Sequence, residues 1–298
     1  MKSYDLVSIG NYTKDTIISK AGTRYVDGGG YSYAAHAAHL RGLAVAAVTR
    51  LADEDRRSTQ ALVDKGIEVF VIESPRSTLM RLEYPTDNVD ERTLTVESVA
   101  EPFTPELLAD FAATSFVVNG SARGEASLAV MESLKSRCER LCADVQGFIR
   151  VVGDDGRLRY EPWPEQAAIL KLIDILKTDA VEAEFLTGEA DIHAAARKLA
   201  GHGPREIVLT HRDGLLVLAD GEYHAAPFHP EVLRGRSGRG DTCMGSYVAA
   251  RHSLEPAAAT VWAAAATSLK MEQEGPIMRS AEDVEALIRD RYGAGTDR

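Results

Sequence analysis

The chain has only three cysteines, Cys138, Cys142 and Cys243, too few and too odd in number for a disulfide framework, so reduced thiols are expected. Cys138 and Cys142 stand four apart, at helical spacing, but no two further ligands lie nearby and no zinc site is expected. No apolar run approaches the roughly 20 residues that span a bilayer, and the sequence opens directly on the strand-like segment Tyr4–Ile9. This reads as a cytoplasmic protein with no membrane partner. Basic residues are outnumbered: 34 Lys and Arg against 45 Asp and Glu give a net charge of −11, which argues against a nucleic-acid partner. A nucleotide substrate stays open, because only a local site need be positive. Two nucleotide motifs are also missing. No GxxxxGK(S/T) segment exists, which excludes P-loop chemistry, and the triple glycine Gly28–Gly30 lacks the spacing of a dinucleotide fingerprint.

With 298 residues the chain is long enough to bury a sizeable core, and its 45% hydrophobic and 27% charged content is ordinary for a globular protein. Apolar, β-rich runs are predicted as strands at 6–9, 45–51, 68–72, 115–118, 141–145, 173–177 and 207–210. Helical segments are predicted between them at 32–41, 57–65, 105–113, 125–137, 181–187 and 192–200. Such alternation predicts an α/β fold, with a mainly parallel central sheet flanked by helices on both faces and ligands beyond the carboxyl ends of the strands. Residues 77–98 break the rhythm: two alternating segments flank the polar turn Thr86–Asp90, which predicts an antiparallel pair. Together with residues 15–19 and the stretch before Gly28, this pair is expected to form a small β lid. The expectation is one domain over 1–298, with lid elements at about 12–26 and 76–99. A lid serves a site that must exclude water, and an edge hairpin without a gating role is the alternative.

The segment most suggestive of chemistry is Ser237–Cys243, reading SGRGDTC, which leads into the apolar Met244–Ala250. Its glycines let consecutive amides turn into one cavity, and a helix starting there adds free N–H groups and its positive dipole end. Asp241 beside such an anion site suits a base taking the proton from an attacking hydroxyl, and otherwise caps the helix. An adhesion reading of Arg239–Asp241 is disfavoured by the apolar surroundings. Asp15 and Asp27 with Gly28–Gly30 suit a small hydroxylated ligand. Asp179 and Glu182, three apart at a strand end, suit Mg²⁺ or, alternatively, complement a helix dipole. Val208–Gly214 is a strand ending in a polar turn fit for phosphate or nucleotide contacts. His36 and His39 lack a third ligand and are not read as a metal pair.

In order along nearly the whole chain, these segments resemble the ribokinase or PfkB family of carbohydrate and nucleoside kinases. Gly238–Asp241 is similar to that family's GAGD signature, Asp179 and Glu182 to its NxxE motif with Asp for Asn, and Leu186–Gly188 to the segment that follows. Gly28 and Gly29 with an Ala-rich helix and Gly42 resemble its N-terminal signature. The resemblance implies a ribokinase-like fold and transfer of the γ-phosphate of ATP to a sugar or polyol hydroxyl. Asp241 is then the catalytic base, with the Gly238, Arg239 and Gly240 amides as the anion hole and Asp179 and Glu182 organising Mg²⁺. Asp15, Gly29, Gly30, Tyr33 and the lid residue Arg92 are expected to bind the acceptor, and Thr210, Gly214, Ser237 and Gly240 the ATP. A homodimer through the lid is a further expectation. Departures from the family pattern occur at Gly235–Ser237, at Arg239 in place of Ala, and in the shortened turn after Thr210. Tyr33 stands where ribose kinases carry Asn, which weighs against ribose. GRSGRGDTC, Ala143–Phe148 and Glu274–Pro276 look most like the family's bacterial inositol-kinase-like members. A nucleoside kinase and a non-catalytic ligand-binding protein of the same fold are the rival readings.

Overall fold

The computed structural model describes residues 2–86, 93–235 and 237–293. Its strands are β1 (Lys2–Ile9), β2 (Thr13–Ser19), β3 (Gly22–Gly28), β4 (Val45–Leu51), β5 (Glu68–Glu73), β6 (Thr78–Glu83), β7 (Thr93–Ser98) and β8 (Phe111–Val118). These are followed by β9 (Cys138–Asp144), β10 (Arg150–Val152), β11 (Leu158–Tyr160), β12 (Ile175–Asp179), β13 (Glu206–Thr210), β14 (Gly214–Ala219) and β15 (Glu222–Pro227). The helices are α1 (Gly30–His39), α2 (Gln60–Asp64), α3 (Leu128–Lys135), α4 (Gln146–Ile149), α5 (Gln166–Leu170), α6 (Ala180–Thr187), α7 (Ile192–Ala200), α8 (Arg239–Ala250), α9 (Pro256–Met271) and α10 (Ala281–Leu287). Among the described residues no helix is long and apolar enough to cross a membrane.

Nine strands form the central sheet, in the order β15-β14-β13-β12-β9-β8-β1-β4-β5. From β13 to β5 every pairing is parallel, and the hairpin β14-β15 closes one edge antiparallel. Helices bury both faces, so neighbouring residues on a strand enter different cores. Leu6 belongs to the core that includes α1, α8 and α9, whereas Val7 belongs to the core that includes α3 and α7. That two-sided burial is why the strands read as continuous apolar runs rather than alternating ones.

Three sequence-based assignments are corrected. Residues 105–113 hold only a 3₁₀ turn at Glu106–Leu108, and β8 begins at Phe111 because parallel pairing with β1 from Lys2 onward outweighs local helical preference. The strand predicted at 141–145 begins earlier, so that β9 holds both Cys138 and Cys142, and both thiols are free. The hairpin β14-β15, absent from the sequence reading, pairs a buried β14, an apolar run at 215–219 that carries no alternation, with a largely exposed edge strand β15.

A second sheet, β3-β2-β6-β7, stands beside the carboxyl ends of the central strands. Its β2-β3 and β6-β7 pairings are antiparallel and β2-β6 is parallel. Arg24 of β3 forms an ion pair with Glu274, just past α9, tying this sheet to the helical layer.

The position of α8 is set by its contact with α1. A Cβ added to Gly245 would lie 2.3 Å from the carbonyl oxygen of Ala34, so the two backbones meet where only glycine fits. Alanines at 34, 35, 37 and 38 keep the opposing surface thin. Gly245→Ala is therefore expected to destabilise the fold by about 1–3 kcal/mol through overpacking. Denaturant unfolding checks this, and a variant as stable as the parent contradicts the close crossing.

Candidate active site

The carboxyl ends of the central strands open into a cavity of about 790 Å³. Strand order reverses at β1 and β8, and the crevice above such a reversal is the usual ligand position in an open α/β sheet. Three structures converge there: the N-terminus of α1, the N-terminus of α8, and one face of the four-stranded sheet.

Gly238 precedes α8 with φ 74°, a left-handed conformation that glycine adopts without strain. It also carries the Tyr33 ring, since an added Cβ would come within 2.2 Å of it. The helix then starts at Arg239 and puts Asp241 in its first turn. A Cβ on Gly30 would lie 2.4 Å from Asp241 Oδ1, so the start of α1 is pressed against this carboxylate. Asn119 Nδ2 donates to Asp241 Oδ1 at 2.9 Å, and Gln146 Nε2 approaches the same oxygen at 3.4 Å. These two amides orient the carboxylate from the ends of β8 and β9.

Glu125 braces the segment that follows Asn119. Its buried carboxylate accepts N–H bonds from Asn11, Ser121 and Ala122 at 3.1, 2.8 and 3.2 Å, clamping the ends of β1 and β8 together. Burial pushes its carboxyl up to about 7, against the pull of those donors.

Positive charge gathers on the other side of Asp241. Lys177 Nζ is 2.8 Å from Asp144 Oδ2, and both side chains are buried. A Cβ on Gly240 would lie 2.5 Å from the same ammonium, so Lys177 sits against the first turn of α8. Desolvation would lower its pKa, but Asp144, Glu182, Asp179 and Asp241 outweigh burial and hold Lys177 charged. Lys270 also lines the cavity, donates to the Gly235 carbonyl at 3.1 Å and lies 5.5 Å from the Tyr33 ring centroid. Burial pushes its ammonium down to about 8, although Asp241 and Glu274 pull the other way.

The cavity brings together Asp15, Gly29, Gly30, Tyr33, Asp179, Thr210, Ser237, Gly238, Arg239, Gly240 and Asp241 among the residues singled out from sequence. It does not bring in Glu182 or Gly214. Glu182 is fully buried, with Oε1 on Arg150 Nη2 at 3.0 Å and Oε2 accepting from the Asp179 N–H at 2.9 Å. Asp179 Oδ1 in turn accepts from the Glu182 N–H at 2.8 Å, a reciprocal capping box in which Asp179 is the N-cap rather than a member of the first turn. Gly214 opens β14, where a Cβ would meet the Ala226 carbonyl at 2.6 Å, so its glycine serves strand packing. Asp27 accepts from the Tyr12 hydroxyl and does not line the cavity. Arg92 and Arg236 lie outside the described residues. His36 is buried on α1, and among the described residues no cluster of three His, Cys, Asp or Glu is arranged to hold a metal. Asn119, Gln146, Lys177 and Lys270 were missed by sequence reasoning. For the first three the available signal was a polar residue at or just past the carboxyl end of a central strand.

The pfkB family carbohydrate kinase pattern matches residues 3–282. A solved structure of a pyrophosphate-dependent kinase in the ribokinase family, complexed with a pyrophosphate analogue and myo-inositol, is 33% identical. The match covers 94% of this chain and 99% of that one, with a TM-score of 0.87. Another, describing conversion of a pyrophosphate-dependent myo-inositol-1 kinase into a myo-inositol-3 kinase by an Asn-to-Leu and a Ser-to-Leu substitution, is 33% identical. Here 96% of this chain and 99% of that one are covered, with a TM-score of 0.86. A cytidine kinase of Thermococcus kodakarensis is 27% identical over 262 residues, covering 82% of this chain and 87% of the relative. With its large parallel sheet, its glycine turn against Asp241 and a family match over almost its full length, the chain belongs to the pfkB family of carbohydrate kinases.

Proposed function

We propose that this kinase moves a phosphoryl group from inorganic pyrophosphate to a hydroxyl of an inositol-like cyclic polyol. The observation that carries the reading is the makeup of the cavity around the α8 turn. Lys177, Lys270, Arg234 and Arg239 line it together with glycines, and beside these cations the cavity is lined by Leu233 and by the Tyr33 ring, which lies against Gly238. Adenine sites need apolar or aromatic walls, whereas pyrophosphate needs only cations and N–H donors. The short turn of residues 211–213, between β13 and β14, adds no loop that would cover a base. ATP, the donor expected from the family resemblance, is the alternative. The pyrophosphate dependence of the relatives at 33% identity favours pyrophosphate, and their myo-inositol acceptor favours a cyclic polyol.

In this reading Asp241 accepts the proton of the attacking hydroxyl, with Asn119 and Gln146 fixing the orientation of its carboxylate. The N–H groups at the start of α8 and the Lys177 ammonium hold the charge that develops on the transferred phosphoryl group. Asp15 and the α1 start hold the acceptor, and the four-stranded sheet acts as the lid that excludes water. Mg²⁺ fits this site through Asp179, which lines the cavity with one carboxylate oxygen engaged, together with phosphate oxygens and water. When bound, the ion neutralises phosphate charge. Glu182, with both oxygens committed, acts by holding Asp179 and Arg150 in place.

A panel of pyrophosphate and ATP against inositols, hexoses, ketoses and nucleosides tests the proposal. Turnover of an inositol with pyrophosphate is expected, and Asp241→Asn should fold normally while losing about 10²–10⁴ of kcat. ATP-dependent turnover of cytidine would transfer the chain to the nucleoside kinases, and a near-parental Asp241→Asn would remove Asp241 as base. The lysine at 270 gives a pH test with a definite sign. Its positive charge is present below about pH 8 and lost above it. The KM for pyrophosphate should therefore rise from pH 7 to pH 9 in the parent more than in Lys270→Gln. Equal rises in the two proteins would remove Lys270 from donor binding.

A further inference from the structure

The strand register of the second sheet assembles an apolar wall in the acceptor half of the cavity. On β2, Ile17 is paired with Leu82 of β6, and Leu82 is paired with Leu94 of β7. All three side chains line the cavity, so they form one row across the sheet. Asp15, two residues before Ile17 on the same strand face, starts the adjoining row beside Met80. The wall thus has a carboxylate at one side, Ser19 and Tyr84 at the other, and no hydrogen-bonding side chain in the Leu82-Leu94 pair itself.

Resting on the inositol reading above, we infer that this leucine pair selects the hydroxyl presented to Asp241, so that myo-inositol is phosphorylated at its 3-hydroxyl rather than its 1-hydroxyl. The two positions are related by the mirror plane of myo-inositol and have the same intrinsic reactivity. Only a chiral pocket separates them, by favouring one of two settings of the ring. Exchanging the two hydroxyls turns the ring over about its C2–C5 axis, so the settings differ in whether the face bearing the axial 2-hydroxyl or the opposite C–H face meets the wall. A ring hydroxyl turned toward two leucines loses its water and gains no partner, a penalty worth roughly one to two orders of magnitude in binding. A polar pair at these places reverses the preference, because a side chain that bonds the hydroxyl also rejects the setting that leaves it unpaired. Leucine on both strands therefore fixes the ring with the C–H face opposite its axial hydroxyl on the sheet, leaving the hydroxyls of its rim to reach Asp15 and the α1 start. This is the same direction as the change to leucine that gave the related kinase its 3-specificity.

The test is chiral separation of the inositol monophosphates made from myo-inositol and pyrophosphate, or ATP if that is the donor. The parent is expected to give the 3-phosphate in at least about tenfold excess. The double variant Leu82→Asn, Leu94→Ser should shift the ratio at least about tenfold toward the 1-phosphate, and Leu82→Asn alone part of the way, which keeps the test open if the double variant does not fold. A parent product that is mainly the 1-phosphate, or an unchanged ratio in folded, active variants, overturns the assignment while leaving the inositol kinase reading intact. Absence of any inositol phosphate with either donor overturns that reading and this inference with it.

Discussion

The close crossing of α1 and α8 is the constraint on which the rest of the site depends. Gly245 against the Ala34 carbonyl lets the two helices approach to backbone contact, and Gly30 against Asp241 ends that contact at the cavity. Both helix N-termini then point at one place, above the reversal of strand order between β1 and β8. Each terminus brings the N–H groups of a first helical turn and a partial positive charge, so the same crossing that buries alanine surface also builds a site suited to an anion. Asp241 stands in that positive surrounding with its carboxylate oriented by two amides, which suits a group placed to meet a hydroxyl beside a phosphate.

Around this centre lies a buried ionic group: Asp144 with Lys177, and Glu182 with Arg150. Buried pairs of this kind contribute little net stability, because desolvation offsets most of their attraction. Their value here is positional. Asp144 and its acidic neighbours keep Lys177 charged in spite of burial, and the capping box between Asp179 and Glu182 fixes the start of α6 so that Asp179 reaches the cavity. The network explains why the acidic pair singled out from sequence divides into one residue at the cavity and one behind it.

Much of this was legible in the sequence, and the exceptions have physical causes. Strands such as Val45–Leu51 were legible because burial on both sheet faces demands continuous apolar runs. The SGRGD turn was legible because left-handed backbone and close packing both require glycine, which leaves a mark in the sequence. Asn119, Gln146 and Lys177 were not, because their roles arise from the lateral order of parallel strands that are distant in the chain. Gly214 was misread for a related cause: a glycine needed for phosphate contact and one needed beside the Ala226 carbonyl look alike until strand pairing is known. Residues 105–113 followed local propensity in the reading and non-local pairing in the fold.

In the proposed reaction one carboxylate, one helix N-terminus and one apolar wall divide the chemistry among proton removal, charge stabilisation and acceptor orientation. The most direct measurement is a crystal structure with myo-inositol and a non-hydrolysable pyrophosphate analogue bound together. A single ring hydroxyl about 3 Å from an Asp241 oxygen and in line with a phosphorus atom seated on the amides of Gly238–Gly240 is the result predicted. An acceptor whose nearest hydroxyl faces another residue, with Asp241 turned away into its Asn119 contact alone, would contradict it.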